Sequence, residues 1–303
     1  MISLQNVQKK FGARIAVDGL TLVVPRGEIF GLLGHNGAGK STAIGMMLGQ
    51  VWPTQGEVRV CGHDVTTQRA RALAKVGAIF ETPAFYDYLS GRRNLEILSH
   101  YSAPTSPERI RQVVEWVGLT GREDSKVKTY SHGMRARLAV AQALLPQPEL
   151  LILDEPGSGL DPEGIAEMRQ TILRLHRELR LTILLSSHLL SEVEQLCTSI
   201  AVLKLGCKVF EGAVAAIIAA RGRVLFKTPD FAAAVALLRT HGVIRSADDG
   251  RVITLTEGRT TAEVVKLLSN ANIPVDGIWE QEQTLEDFYL SLVKAAPQPA
   301  NNN

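Results

Sequence analysis

The feature that most constrains this chain is a glycine-rich loop, Gly34-His35-Asn36-Gly37-Ala38-Gly39-Lys40-Ser41-Thr42. It fits the phosphate-loop pattern GxxxxGK[ST], in which glycines let backbone amides wrap closely around phosphate groups. The apolar residues 28–33 predict a strand that enters the loop, and a helix is expected to follow. All residues of the loop are therefore expected to bind ATP, with Lys40 neutralising phosphate oxygens and Ser41 ligating Mg²⁺.

A second segment ends in two carboxylates. The apolar run from Leu150 to Leu153 predicts a buried strand, and Asp154 and Glu155 follow it directly. Such a strand would bring Asp154 beside the phosphate loop, where it can hold the Mg²⁺ hydration shell, while Glu155 orients and deprotonates an attacking water. The alternative is a solvated strand end, and the phosphate loop upstream argues against it.

Composition limits the classes of protein that this chain can be. Hydrophobic residues make up 45% and charged residues 21% of the 303 residues, which is typical of a soluble globular protein. The net charge of +2 gives no reason to expect a nucleic-acid partner. The cysteines Cys61, Cys197 and Cys207 lack metal-ligand spacing and are expected to be free thiols in a reducing cytosol.

The N-terminal residues lack a basic region followed by a long apolar stretch, so no secretory signal is expected. No run approaches the roughly 20 apolar residues needed to cross a bilayer. We therefore expect the chain to stay in the cytosol and to reach a membrane only through another polypeptide.

The order of segments predicts a large α/β domain at residues 1–212. A helical insert is expected at about 83–145, because segments there repeat apolar residues at helical spacing. Strands predicted at 150–153 and 182–186 flank a helix predicted at 162–179. This β-α-β order is typical of a parallel sheet.

The remaining residues predict a second, smaller domain. An alanine-rich linker at 213–222 leads to residues 223–294, where strand and helix patterns alternate as in a small α+β domain. The final segment, 295–303, has nothing to bury and is expected to be disordered.

The order of these motifs resembles the ABC ATPase family over about residues 1–212. Tyr130-Ser131-His132-Gly133-Met134 occupies the place of that family's LSGGQ sequence, just ahead of the strand that ends in Asp154. The resemblance implies a P-loop NTPase fold with a mostly parallel core sheet, an antiparallel β subdomain and a helical subdomain. It also implies that residues 131–134 of one subunit cap the ATP bound by another, so that two ATPs lie between two chains.

His132 and Met134 depart from the LSGGQ pattern, which has glycine and glutamine at those places. A histidine there either restricts the backbone beside the phosphate or adds a donor. Taken alone, a serine that opens a helix is more often an N-cap than a ligand, and that alternative stays open for Ser131.

Three further segments fit the family's order. Gly159-Leu160-Asp161-Pro162 resembles the D-loop, which implies that Asp161 lies at the interface between two subunits; an N-cap is an alternative that can hold at the same time. His188 stands at the place of the switch histidine, which implies contact with the γ-phosphate, with a structural histidine as the alternative. Phe11 lies where family members carry an aromatic residue that stacks on adenine, with a core phenylalanine as the competing interpretation.

Glu81 stands where the family most often has the glutamine of its Q-loop. Its carboxylate is expected to ligate Mg²⁺ or a bound water, unless it is simply an exposed loop acid. The resemblance implies that the segment from Glu81 to Asn94 receives a coupling helix from an integral membrane permease. Phe85, Tyr86 and Tyr88 would supply an apolar surface for that contact.

The sequence therefore predicts the ATP-hydrolysing subunit of an ABC membrane transporter. Segments 81–86 and 130–134 are most similar to those of bacterial antibiotic- and peptide-exporting systems, which implies export of an antibiotic, a peptide or another amphipathic substrate. The expected partners are a second ATPase subunit, in a homodimer, and membrane permease subunits at the cytoplasmic face of the cell membrane. No nucleic-acid partner is expected.

Two other functions are compatible with a phosphate loop. A soluble ABC ATPase acting on ribosomes or DNA would usually pair two ATPase units in one chain or carry long insertions, and this sequence has one phosphate loop and no such insertion. A nucleotide kinase or GTPase would lack the segment 131–134 ahead of the strand that ends in Asp154.

Overall fold

The chain divides into two compact units in its computed structural model, which describes residues 1–80, 84–102, 105–218, 223–248, 251–256, 258–280 and 284–295. The first unit is Met1–Val214 together with the C-terminal residues from Leu292, and the second is Ala215–Ser291. The domain limits expected from the sequence stay predictions.

The strands, in chain order, are β1 (Ile2–Phe11), β2 (Arg14–Val24), β3 (Ile29–Leu33), β4 (Gln55–Val60), β5 (His63–Asp64), β6 (Val76–Ile79), β7 (Leu150–Asp154), β8 (Thr182–Ser187), β9 (Ser199–Lys204), β10 (Cys207–Ala213), β11 (Arg223–Lys227), β12 (Ile244–Ala247), β13 (Val252–Leu255) and β14 (Gly277–Glu280). The helices are α1 (Lys40–Met47), α2 (Arg69–Leu73), α3 (Gly91–Ser102), α4 (Pro107–Trp116), α5 (His132–Leu144), α6 (Pro162–Leu179), α7 (Leu190–Leu196), α8 (Val214–Ile218), α9 (Phe231–Thr240), α10 (Thr261–Asn270) and α11 (Leu285–Ala295). Within the described ranges, no helix combines the length and the apolar composition needed to span a bilayer.

The central layer of the first unit is a six-stranded sheet in the order β10-β9-β3-β8-β7-β6. Its strand pairs are parallel except for β10 with β9 at the edge. The inner strands β3, β7 and β8 are buried along nearly their whole length, as expected for parallel strands that are covered on both faces. The predicted α/β fold with a mostly parallel core sheet is confirmed.

A second sheet of the first unit is antiparallel, in the order β2-β1-β4-β5. Leu22 of this sheet, Ile44 of α1 and Ile152 of the central sheet belong to one apolar core. The hairpin β1–β2 is longer than the strands that the apolar pattern predicts at residues 2–7 and 20–24, because the residues that extend it do not alternate polar with apolar. As a consequence, Phe11 lies at the tip of a hairpin.

The helical insert consists of α3, α4 and α5. α4 and α5 each begin after a serine whose hydroxyl accepts a backbone N–H: Ser106 from Arg109 and Ser131 from Met134, both at 3.2 Å. These N-caps satisfy donors that the first turn of a helix leaves unpaired. The predicted helical subdomain is therefore confirmed. Helical spacing of apolar residues predicts its first helix at 94–101, whereas α3 begins at Gly91.

Between α8 and α11, the second unit has the element order β11-α9-β12-β13-α10-β14 and the antiparallel sheet order β12-β13-β11-β14. This is the topology of a ferredoxin-like domain. Its core includes Phe226 of β11, Leu238 of α9 and Leu268 of α10. The predicted small α+β fold agrees with this unit, but the sequence does not predict β12. That strand lies at the sheet edge, where Ile244 is its only fully buried residue.

Two segments outside these sheets differ from the sequence expectation. The predicted linker at 213–222 contains the helix α8, while residues 219–222 lie outside the described part of the chain. The helix α11 extends to Ala295, the first residue of the predicted disordered tail. The rest of that tail, 296–303, lies outside the described residues.

The cysteines are unpaired with one another. Cys197 is buried, Cys61 is half-buried and Cys207 is exposed, and all three are free. Burial raises the pKa of the Cys197 thiol, which keeps that side chain in its neutral form.

A stability prediction follows from the packing of β6 on α5. A Cβ added at Gly77 of β6 would lie 2.0 Å from the carbonyl oxygen of Ala143, which belongs to the backbone of α5. Gly77→Ala should therefore lower the free energy of unfolding by about 3 kcal/mol, because overpacking against backbone forces the helix away from the sheet. The measurement is a urea titration followed by circular dichroism.

Gly157→Ala is the matched control, because a Cβ at that glycine would meet its nearest atom at 4.0 Å. Equal transition midpoints for the two variants would contradict the packing described for β6.

Candidate nucleotide-binding site

The glycine-rich loop connects β3 to α1, as the sequence predicts. All three of its glycines have positive φ, 155° at Gly34, 82° at Gly37 and 105° at Gly39, and two of them are also packed tightly against backbone. A Cβ at Gly34 would lie 2.6 Å from the carbonyl oxygen of Leu203, and one at Gly39 would lie 2.7 Å from that of Ala16. The loop therefore holds its shape against neighbouring backbone, and only glycine fits at these two positions.

Lys40 is held inside this loop, with 5% of its surface exposed. Its Nζ donates to the carbonyl oxygens of Gly34 at 2.6 Å and His35 at 3.4 Å. The same ammonium lies 3.8 Å from Oε1 of Glu155. A buried ammonium of this kind is a fixed positive charge at the centre of the loop.

Asp154 and Glu155 stand at the end of β7, next to the end of β8. The hydroxyl of Ser186 on β8 donates to Oδ1 of Asp154 and accepts from the backbone N–H of Glu155 at 2.9 Å. Glu155 has a left-handed backbone with φ of 49°. Its Oε2 lies 2.9 Å from Nδ1 of His188, which follows β8 and is exposed. Glu155 thus lies between Lys40 and His188.

One open pocket contains most of the phosphate loop together with Glu155. It is lined by Arg14, Ala16, His35, Asn36, Gly37, Gly39, Lys40, Ser41, Thr42 and Glu155. The structure therefore brings the phosphate loop and Glu155 together, as the sequence predicts. Arg14 and Ala16 of β2 were not expected there, since no local motif marks them. Ser186 was also missed, and its only sequence signal is a hydroxyl residue near the end of an apolar strand.

Phe11 is not a core residue, because 51% of its surface is exposed. It lies at the end of β1 and pairs with Arg14, which lines the pocket of the phosphate loop. The ammonium of Lys9 lies 4.8 Å from the centre of its ring. The competing interpretation of a core phenylalanine is therefore wrong, and stacking on adenine stays a prediction.

The predicted site residues 131–134 and Asp161 line a second cavity, which shares no lining residue with the first. It is lined by Ser131, His132, Gly133, Met134, Arg137, Gly159, Asp161, Glu163, Gly164 and Glu167. Here the N-termini of α5 and α6 come together, since a Cβ at Gly133 would lie 3.6 Å from Cα of Gly164. Helix N-termini carry positive potential, which favours an anion, and the carboxylates of Asp161, Glu163 and Glu167 lie in the same lining.

The structure confirms that Ser131 and Asp161 are helix N-caps, the alternative role that the sequence leaves open for each. Ser131 is the N-cap of α5, and Asp161 is the N-cap of α6, accepting from the N–H of Gly164 at 2.9 Å. Tyr130 fixes the segment before Ser131, because its buried ring donates a hydrogen bond from Oη to the carbonyl oxygen of Arg122 at 2.7 Å. Burial, more than any nearby charge, raises the pKa of Tyr130.

The segment expected to contact a permease presents aromatic side chains to solvent. Tyr86 is 43% and Tyr88 is 67% exposed, and their ring centres lie 6.1 Å apart. The buried Asn94 fixes the segment, accepting from the N–H of Tyr86 at 2.8 Å and donating to the carbonyl oxygens of Tyr86 and Ser90. Glu81 lies outside the described residues.

Of the residues that the sequence assigns to Mg²⁺, Ser41 lines the pocket of the phosphate loop and Asp154 lies at the end of β7. Within the described ranges, no group of three or more His, Cys, Asp or Glu side chains could form a metal site from protein ligands alone. Mg²⁺ is commonly held by one or two protein oxygens together with substrate phosphates and water. The hydroxyl of Ser41 in the loop and the carboxylate of Asp154 at the end of β7 are oxygen donors of the kind that this mode of binding uses.

Comparisons with known proteins agree with this geometry. A sequence model described as ABC transporter matches residues 17–158. The bacitracin transport ATP-binding protein BcrA of Bacillus licheniformis is 37% identical over 298 residues, which cover 97% of this chain and 97% of that protein. The daunorubicin resistance ATP-binding protein DrrA3 of Streptomyces coeruleorubidus is 34% identical over 301 residues, covering 96% and 95%. The solved dimer of the ATP-binding cassette MJ0796 bound to ADP and Pi is similar, with a TM-score of 0.62 and 25% identity over 71% of this chain and 99% of that one.

The parallel sheet, the loop and the buried Lys40 define a P-loop nucleotide-binding protein. The match of nearly the whole chain to relatives that are 34% and 37% identical narrows this class further. The chain belongs to the ABC transporter family, as one of its ATP-binding proteins.

The N-cap of α6 gives a stability prediction. Asp161→Ala should lower the free energy of unfolding by about 1 kcal/mol, because it leaves the N–H of Gly164 without its partner. Asp161→Asn should retain most of the stability, since its side-chain oxygen can still accept. The measurement is the urea midpoint of each variant, and equal midpoints for the two would show that Asp161 is not an effective cap.

Proposed function

We propose that this chain binds and hydrolyses ATP to power an ABC exporter of an antibiotic, a peptide or another amphipathic substrate. The observation that carries the proposal is the position of Glu155 at the phosphate loop, with Oε1 at 3.8 Å from Lys40 and Oε2 at 2.9 Å from His188. A carboxylate held in this way can accept a proton from water at the end of a bound triphosphate.

The proposed binding step uses the loop Gly34–Thr42. Its backbone amides and the N-terminus of α1 receive the β- and γ-phosphates, and Lys40 neutralises their oxygens. Ser41 and Asp154 would hold Mg²⁺, which, when bound, neutralises negative charge on the phosphate oxygens. Phe11 stacks on adenine through its exposed ring face.

In the proposed hydrolysis, water attacks the γ-phosphorus in line with the bond to the β-phosphate oxygen. Glu155 orients that water and takes its proton. The new bond joins the water oxygen to phosphorus, and the bond to the bridging oxygen breaks, which releases ADP and phosphate. Lys40 and His188 stabilise the charge that develops on the γ-phosphate oxygens.

A second copy of the chain completes the proposed site. Residues 131–134 and Asp161 line a cavity separate from the phosphate loop of their own chain, which supports a role at the ATP of a partner. The MJ0796 cassette is a dimer, and we propose a homodimer for this chain by analogy. Two ATPs would then lie between the chains.

The proposed membrane partner is a permease that contacts the segment from Glu81 to Asn94 at the cytoplasmic face of the membrane. The exposed rings of Tyr86 and Tyr88 support this proposal, since aromatic residues are enriched at protein interfaces. The names of the bacitracin transport and daunorubicin resistance relatives support an antibiotic as cargo. Glu81 remains a proposed ligand of Mg²⁺ or its water.

Glu155→Gln tests the proposed hydrolysis. The amide retains the shape of the side chain but cannot accept the proton, so ATP turnover should fall by about 10² to 10⁴. Because ATP still binds, the variant should accumulate as an ATP-bound dimer, which light scattering detects as a doubling of mass.

Two controls accompany this experiment. Glu178→Gln changes an exposed glutamate that pairs with Arg174 on α6, and it should hydrolyse ATP at the parental rate. Lys40→Ala should weaken nucleotide binding and form no ATP-dependent dimer. If Glu155→Gln turns over ATP as fast as the parent, Glu155 is not the base.

The transport role is tested by affinity purification of the tagged chain from detergent-solubilised membranes of its source cells. A multi-span membrane protein should be recovered with it. The double substitution Tyr86→Ala and Tyr88→Ala should reduce the amount of membrane protein recovered. Alanine at the exposed Tyr101, which lies outside the segment, is the matched control. Recovery of ribosomes or DNA without a membrane protein would instead support a soluble ABC ATPase.

A further inference from the structure

Ser186 lies where β8 meets the carboxyl end of β7 and is fully buried. It stands directly opposite Asp154 in the parallel register. Its hydroxyl contacts both acidic residues of the site, donating to Oδ1 of Asp154 and accepting from the backbone N–H of Glu155 at 2.9 Å. The sequence places Ser186 two residues before the expected switch histidine His188 but assigns the serine no role of its own.

The direction of these two hydrogen bonds is fixed by chemistry. A backbone N–H can only donate, so the Ser186 oxygen must accept from Glu155. The single hydroxyl hydrogen is then directed to Oδ1 of Asp154. Oδ2 of Asp154 is left as the carboxylate oxygen that is available to a ligand.

The same hydroxyl restrains the backbone of Glu155. With φ of 49°, Glu155 adopts a left-handed conformation that residues with a side chain seldom occupy. Such a conformation persists where its surroundings hold it, and the bond from its N–H to Ser186 is one such restraint. His188, two residues after Ser186, contacts the carboxylate of the same residue.

We propose that Ser186 is a positioning residue for the ATPase reaction: its hydroxyl directs one oxygen of Asp154 toward Mg²⁺ and holds Glu155 at the phosphate loop. This inference rests on the proposed function, because it assigns Ser186 a role in Mg²⁺-dependent ATP binding and hydrolysis. Ser186 does not touch substrate. It acts through Asp154 and Glu155.

The test compares variants of Ser186 that differ in the hydroxyl group. Ser186→Ala removes it, Ser186→Cys keeps a similar volume with only a weak donor, and Ser186→Thr retains it. Ser99→Ala is the matched control, because Ser99 is a buried serine of α3 whose hydroxyl donates to the carbonyl oxygen of Glu96. The melting temperature of each variant establishes that it is folded.

The first readout is binding of AMP-PNP by calorimetry, with Mg²⁺ and with EDTA. Ser186→Ala and Ser186→Cys should lower the Mg²⁺-dependent gain in affinity by about tenfold, since the partly buried carboxylate of Asp154 loses a hydrogen-bond partner. Affinity in EDTA should stay within about twofold of the parent, because the phosphate loop is intact. Ser186→Thr and Ser99→Ala should show the same Mg²⁺-dependent gain in AMP-PNP affinity as the parent.

The second readout is kcat for ATP hydrolysis, which should fall by about tenfold or more in the two hydroxyl-free variants. In a chain that already carries Asp154→Asn, Ser186→Ala should change the gain in AMP-PNP affinity from Mg²⁺ by less than about twofold. If Ser186 acts through Asp154, the effects of the two substitutions do not add. A further tenfold loss in that background would overturn the proposal.

Two other results would also overturn it. One is a folded Ser186→Ala or Ser186→Cys that retains the parental Mg²⁺ gain and kcat. The other is failure of both variants to fold, because Ser186 would then be a determinant of folding. If the parent chain itself does not hydrolyse ATP, the proposed function fails; if the parent does and the variants match it, only the role of Ser186 fails.

Discussion

The parallel pairing of β7 with β8 is the constraint on which the candidate site depends. It sets Asp154 opposite Ser186, so that the carboxyl ends of two buried strands deliver their polar residues to the same edge of the sheet. Glu155 then reaches Lys40 on one side and His188 on the other. A slip of one residue would turn every side chain of a strand to the opposite face and separate these groups. The register of these two buried strands therefore also sets the chemistry of the site.

The parts of the site that sequence predicts are those encoded within a few neighbouring residues. The loop from Gly34 to Thr42 carries its own pattern, and Asp154 and Glu155 directly follow an apolar strand. Arg14 and Ser186 could not be found in this way, because their proximity to the site arises from contacts between distant segments. Phe11 shows the same limit, since its exposure depends on a hairpin whose outer residues lack the alternation that would mark its length.

The fold shows a similar division. Long amphipathic helices and buried strands are predicted because their periodicity is local, as α6 and β7 illustrate. The edge strand β12 is not, because its pairing with β13 supplies a stability that its own sequence does not display. At the N-termini of α5 and α6, local and functional interpretations coincide: Ser131 and Asp161 cap their helices and also line the cavity proposed to meet a second chain's ATP.

The left-handed backbone at residue 155 also limits how this position can change through evolution. Asparagine, aspartate and glycine adopt such a conformation readily, while β-branched residues are strongly disfavoured there. Substitutions of Glu155 are therefore limited by the backbone conformation to a few small polar residues or glycine, whether or not activity is under selection. In a descendant that no longer hydrolysed ATP, the residue at position 155 would still be restricted to types that tolerate the left-handed backbone. Loss of the reaction and loss of the architecture would be separate events in the history of such a chain.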